Sequence, residues 1–122
     1  MPRDITNDLP PVVARHLAAC NGHDIDAWMA TFAPDALFND VQREFDGAEA
    51  IRAFAAKEIF GDSVTFTPLQ ARDRHGNITV QARVDGTYDK TGLPDPLVLS
   101  LYFSLRDDRI TQLIIIHNQA RA

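Results

Sequence analysis

The apolar positions change period halfway along the chain. From Leu9 to Ile59 they recur every three or four residues, and from Val64 onward they alternate. In the first half, Leu9, Val12, Val13, His16 and Cys20 share one helical face, which predicts a helix over about 9–20. Pro10 and Pro11 suit its start, where a missing N–H costs nothing, and Asn21-Gly22 suits its end. Asp24 is placed to cap a second helix with Ile25, Trp28, Met29 and Phe32 inward, ended by Pro34. A short strand over 36–40 follows, closing on the carboxylate of Asp40. Asp46 and Glu49 read as a capping box for a third helix, whose inward positions are Ile51, Phe54, Ala55 and Ile59 and whose stop is Gly61.

In the second half, Ile78, Val80, Ala82 and Val84 alternate with polar residues, and Leu97, Leu99, Leu101, Phe103 and Leu105 do the same. Residues 110–117 form a nearly unbroken apolar strand, and 64–71 a weaker one with Pro68 inside, which suggests an edge or a bulge. Hairpins are expected at 74–77, 89–96 and 106–108, and a bulge at Asp85-Gly86. Helices first and an antiparallel sheet afterwards predict an α+β fold, with helices on one face of a curved sheet. In the last strand Ile114 and Ile116 point opposite to Leu113, Ile115 and His117, so both faces need cover. Helices in so small a domain cover one. The expected cover for the other is a second copy, giving a homodimer through Ile114, Ile116, Tyr102 and Val98.

A length of 122 residues corresponds to one domain, expected over 9–118, with a mobile segment at 1–8 and a tail at 119–122. The net charge of −5 disfavours nucleic acid and anionic membrane as partners. Cys20 is the only cysteine, so no internal disulfide is possible, and a buried, inert thiol in a reducing cytoplasm is expected. Met1-Pro2-Arg3-Asp4 lacks the apolar core of a signal peptide, and no apolar run approaches the ~18 residues of a spanning helix.

Asp24-Ile25-Asp26-Ala27-Trp28, Phe32-Ala33-Pro34-Asp35-Ala36, the stretch 47–54 and the final pair of strands resemble the nuclear transport factor 2-like superfamily. Within it they are most similar to the ketosteroid isomerase and polyketide-cyclase-like branch, over about 9–118. The resemblance implies a cone-shaped fold, three N-terminal helices packed in a strongly curved antiparallel sheet around a buried cavity. Carried over by position, Asp40 matches the isomerase's general base. His16 matches the tyrosine that donates to the substrate oxyanion, and His117 a large pocket aromatic. The second oxyanion donor of the isomerases aligns with Leu101, and Val41 stands where the family often has proline.

The residues themselves leave alternatives open. Asp40 is either a strand-end carboxylate accepting turn N–H groups or a base whose pKa is raised by shielding from water. His16 is either a core histidine or an oxyanion donor, and His117, framed by Ile114, Ile115 and Ile116, is a buried imidazole in need of a partner. Two histidines and a carboxylate could ligate iron or zinc, but no local ligand spacing accompanies them, so neither metal nor cofactor is expected. Trp28, Phe38, Phe54, Leu101 and Leu113 are expected to wall the substrate cavity. His23 and His75 fall in solvated turns, Glu58 faces solvent, and Leu93-Pro94-Asp95-Pro96 forms a rigid loop at a rim. The expected function is a small cofactor-free acid/base enzyme of isomerase, dehydratase or cyclase type, acting on an apolar carbonyl compound. The alternative is a non-catalytic small-molecule-binding or dimeric interaction domain of the same fold.

Overall fold

The computed structural model describes residues 3–117. The segment 1–8, expected to be mobile, supplies a first strand, β1 (Arg3–Asp4), which pairs antiparallel with Arg72 and Asp73. Ile5 beside it is buried in the core. The expected tail at 119–122 lies outside the described residues.

Pro11 opens α1 (Pro11–Asn21), which buries Val12, Val13, His16, Leu17, Ala19 and Cys20. The Gly22 N–H closes it on the Ala18 carbonyl at 2.9 Å. Asp24 caps α2 (Ile25–Met29), accepting from the Ala27 N–H at 3.1 Å. This helix ends at Met29, short of Phe32, whereas the periodicity predicts a helix that includes Phe32. Strand pairing outweighs helical spacing here, because the Ile110 N–H donates to the Thr31 carbonyl at 2.8 Å and Phe32 pairs with Ile110. Phe32 thus begins β2 (Phe32–Asp40). Pro34 and Asp35 sit exposed where the ladder shifts register, which a residue without an N–H tolerates.

A two-residue turn at Val41-Gln42 leads into β3 (Arg43–Asp46), a strand the alternation does not reveal. Asp46 pairs with Leu37 in this strand, so the expected Asp46–Glu49 capping box does not form. Gly47, at φ 90°, occupies the cap position of α3 (Ala48–Glu58) instead. Gly61 stops the helix as its sequence position suggests: a Cβ there would collide with the Lys57 carbonyl. The remaining strands are β4 (Thr65–Arg74), β5 (Asn77–Asp85), β6 (Leu97–Arg106) and β7 (Arg109–His117). A register shift at Pro68 answers the bulge expected from that proline.

The seven strands form one sheet in the order β1-β4-β5-β6-β7-β2-β3. The expected antiparallel, strongly curved cone is corrected on two counts. β2 runs parallel to β7, so the sheet is mixed, and its open strand order has no strong curl. The reason is topological. β2 enters from the helical half and lies beside the last strand of the meander, in the direction that strand already runs. Trp28, Phe38, Leu101, Phe103 and Leu113 are fully buried between the sheet and the helices.

Candidate active site

Period two along β2 sets the direction of Asp40. Ala36 and Phe38 are buried, and Asp40 follows them in phase, so its carboxylate turns toward the helical side of the sheet. On the same side β6 presents Leu97 and Leu99, and β7 presents Ile115 and His117. These residues stand around a cavity of about 360 Å³ whose lining includes no residue of α1 or α2. Its buried wall is apolar: Phe54, Ile59, Val64, Phe66, Val84, Leu97, Leu99 and Ile115. The less buried lining is mostly polar: Asp40, Arg43, Glu58, Asp62, Tyr88 and His117.

The polar rim has a defined geometry. Asp40 and Arg43 are directly opposite across the Val41-Gln42 turn, and Arg43 Nη2 donates to Asp40 Oδ2 at 2.7 Å. Arg43 Nη1 donates to both Glu58 oxygens, at 3.1 and 3.3 Å. The guanidinium also lies over the Phe54 ring, 5.1 Å from its centroid, and Phe54 stacks in turn on Phe45. Burial pushes the Asp40 pKa above the usual aspartate range. The Arg43 bond and charge pull it down, Glu58 adds to the rise and His117 opposes it, with a net upward shift.

The residues singled out from sequence divide between this cavity and the core. Asp40, His117 and Phe54 line the cavity. His16 does not. It is fully buried among Trp28, Phe32 and Phe103, with ring centroids 5.1 to 5.5 Å away, and burial pushes its pKa down to about 3. Phe103 lies four residues along β6 from Leu99, on the order of 13 Å at the usual strand rise. Trp28, Phe38, Leu101 and Leu113 are core side chains outside the lining. Cys20 is buried with its thiol pushed up to about 12, as an inert thiol requires. Glu58, expected in solvent, joins the rim.

Arg43, Asp62 and Tyr88 are cavity residues that the sequence pattern did not bring forward. Arg43 had one usable signal, its place three residues after Asp40, but Val41-Gln42 lacks the Asn-Gly composition that marks a tight hairpin. Among the described residues, no three His, Cys, Asp or Glu side chains come together as a metal-holding group, and no helix is long and apolar enough to cross a membrane.

Residues 13–113 match the SnoaL-like domain. A structure from Sinorhizobium meliloti, provisionally named a polyketide cyclase, is 32% identical with a TM-score of 0.77, over 90% of this chain and 97% of that one. A protein from Kribbella flavida, provisionally named a ketosteroid isomerase, shares the fold at 11% identity and a TM-score of 0.75, over 98% and 84% of the two chains. An NTF2-like protein of unknown function from Cytophaga hutchinsonii shares it at 13% identity and 0.72, over 93% and 89%. None of the curated proteins matches the sequence.

Proposed function

The chain belongs to the SnoaL-like domain family, and from that premise we propose a small acid/base enzyme acting on an apolar carbonyl compound. Asp40 is its general base. The observation that carries this reading is the Asp40 carboxylate, largely buried and raised in pKa, set where the polar rim of the cavity meets its apolar wall. A shielded carboxylate with a raised pKa holds a proton more firmly near neutral pH, which is what removal of a proton beside a carbonyl requires. Isomerisation, dehydration and aldol-type cyclisation begin with that step, and the step needs only proton transfer. The names given to the Sinorhizobium and Kribbella proteins support the same class of chemistry. His117 is a second polar group within the cavity, and His16 takes no part. A reducing cytoplasm suits the buried thiol of Cys20.

The test is turnover of a panel of small enones and hydroxy-ketones by the wild type and by Asp40→Asn. Turnover that disappears in Asp40→Asn supports the reading. Apolar ligands that bind the wild type and come off unchanged favour the second reading, a binding module without chemistry. That reading has its own support: Leu101 stands at the position matched to an oxyanion donor, and it is a buried core residue.

We also propose a homodimer in which a second copy covers the outer sheet face. Tyr102 and Ile114 are register partners there, and Tyr102 and Ile116 are 41% and 40% exposed, unusual for large apolar side chains in the middle of a sheet.

A further inference from the structure

Resting on the reading that Asp40 abstracts a proton in this cavity, we propose that Arg43 is the group that receives the oxyanion. The two positions matched to oxyanion donors are both unavailable, since His16 is packed in the aromatic core and Leu101 has no donor. Arg43 is the lysine-or-arginine cation of the lining. It is not a loose surface side chain. Asp40, Glu58 and the Phe54 face hold its guanidinium from three sides.

Its position fits the step. Arg43 bonds Oδ2 of Asp40, which leaves Oδ1 to take the proton. In a carbonyl compound the oxygen is two bonds from the α-carbon. A substrate with its α-carbon against Oδ1 therefore has its oxygen within reach of the neighbouring guanidinium. In the step, the α C–H bond breaks and the proton goes to Oδ1. The C–H electron pair becomes the enolate C=C, and the carbonyl π pair moves onto oxygen.

The charge balance changes at the same moment. Asp40, Glu58 and Asp62 line the cavity against Arg43, so an already anionic ligand is disfavoured and a neutral ketone is the fitting substrate. Proton transfer neutralises Asp40 and weakens its hold on Arg43 to that of a neutral acceptor, as negative charge appears on the substrate oxygen. Glu58 and Phe54 keep the guanidinium in place, so little reorganisation is needed.

The probe is para-nitrophenol, an enolate analogue whose ionisation is read by absorbance. Asp40→Asn stands in for the protonated base. Para-nitrophenol bound to Asp40→Asn is expected to ionise at least about one pH unit lower than when bound to Asp40→Asn/Arg43→Gln, the effect of a cation in contact with an anion. Asp40→Asn/Arg43→Lys, which keeps the charge and loses the planar fork, should retain part of that shift. Circular dichroism checks that each variant is folded, as the half-exposed position of Arg43 leads us to expect. Equal ionisation in all three overturns the role of Arg43 and leaves Asp40 as base untouched. Failure of the phenol to bind any of them overturns the cavity reading itself, and the inference with it.

Discussion

His16 Nδ1 lies 3.0 Å from Thr31 Oγ1, and the Thr31 hydroxyl is already committed to the Trp28 carbonyl at 2.6 Å. The hydroxyl oxygen can therefore only accept from the imidazole. Nδ1 carries the proton and the ring is neutral, consistent with a pKa lowered by burial to about 3. The consequence for stability has a definite sign. Below the ordinary value of 6.5 the unfolded chain binds a proton that the folded protein refuses. Stability is complete above that pH and falls between 6.5 and about 3, by at most about 1.4 kcal/mol per pH unit. His16→Gln, which can still donate to Thr31, should cost about 1–2 kcal/mol at pH 7 and flatten the decline toward pH 5. Urea unfolding at the two pH values measures both. An unchanged decline would mean that His16 is protonated in the fold.

Asp40 has the opposite sense. Its carboxyl pKa is raised, first by burial, so the folded protein holds a proton that the unfolded chain has lost. Its ionisation thus weakens the fold as pH rises from 3.8 upward, and the loss persists at neutral pH. Asp40→Asn should abolish turnover and yet raise stability at pH 7, on the order of 1 kcal/mol, the usual relation at a site kept for function. At pH 3 the difference should shrink toward zero. A variant less stable than wild type at pH 7 would show that the Arg43 bond outweighs desolvation, and that Asp40 is chiefly structural.

The same two residues show what can be read from sequence. The face of a helix is set by spacing alone, so the burial of His16 in α1 was legible. What it meets there was not. Trp28 and Phe32 fall on one helical face by periodicity, but Phe32 belongs to a strand, and its ring closes over His16 from that strand. Once Phe32 joins β2, the imidazole is sealed in the core and kept from the cavity. The alternation through Ala36, Phe38 and Asp40 is local, and it placed the carboxylate on the inner face. Arg43 depends on a turn whose residues carry no turn signal, so its ion pair with Asp40 appears only in three dimensions. The parallel pairing of β2 with β7 is equally non-local, since nothing in either strand's pattern fixes direction.

That turn is itself a point of strain. Val41 and Gln42 have φ of 50° and 71°, the left-handed region that a β-branched valine strongly avoids. Strain of this kind is kept where it positions a side chain, and here it sets Arg43 directly opposite Asp40. Replacing Val41-Gln42 with Asn-Gly should preserve the hairpin and stabilise the protein by roughly 1–2 kcal/mol, seen as a higher thermal midpoint. Because the pair geometry is kept, turnover or ligand binding should change less than tenfold. A destabilised variant would mean that Val41, which lines the cavity, contributes more by packing than its backbone costs.

The outer face of the sheet exposes Tyr102 and Ile116. Tyr102 and Ile114 pair across β6 and β7, Ile116 lies two residues along, and Val98 is on the same side of β6. In a two-fold dimer the same patch meets itself, so each substitution acts twice. Burying an aliphatic side chain is worth roughly 1.5–3 kcal/mol. Ile116→Lys, which also places two ammonium groups near the axis, should raise the dimer dissociation constant by about two to four orders of magnitude. The monomer should remain folded, since Ile116 is 40% exposed and outside the core. Sedimentation at micromolar concentration reads both states. A wild type that sediments as a monomer removes the dimer, and an Ile116→Lys protein that stays dimeric moves the interface to another surface.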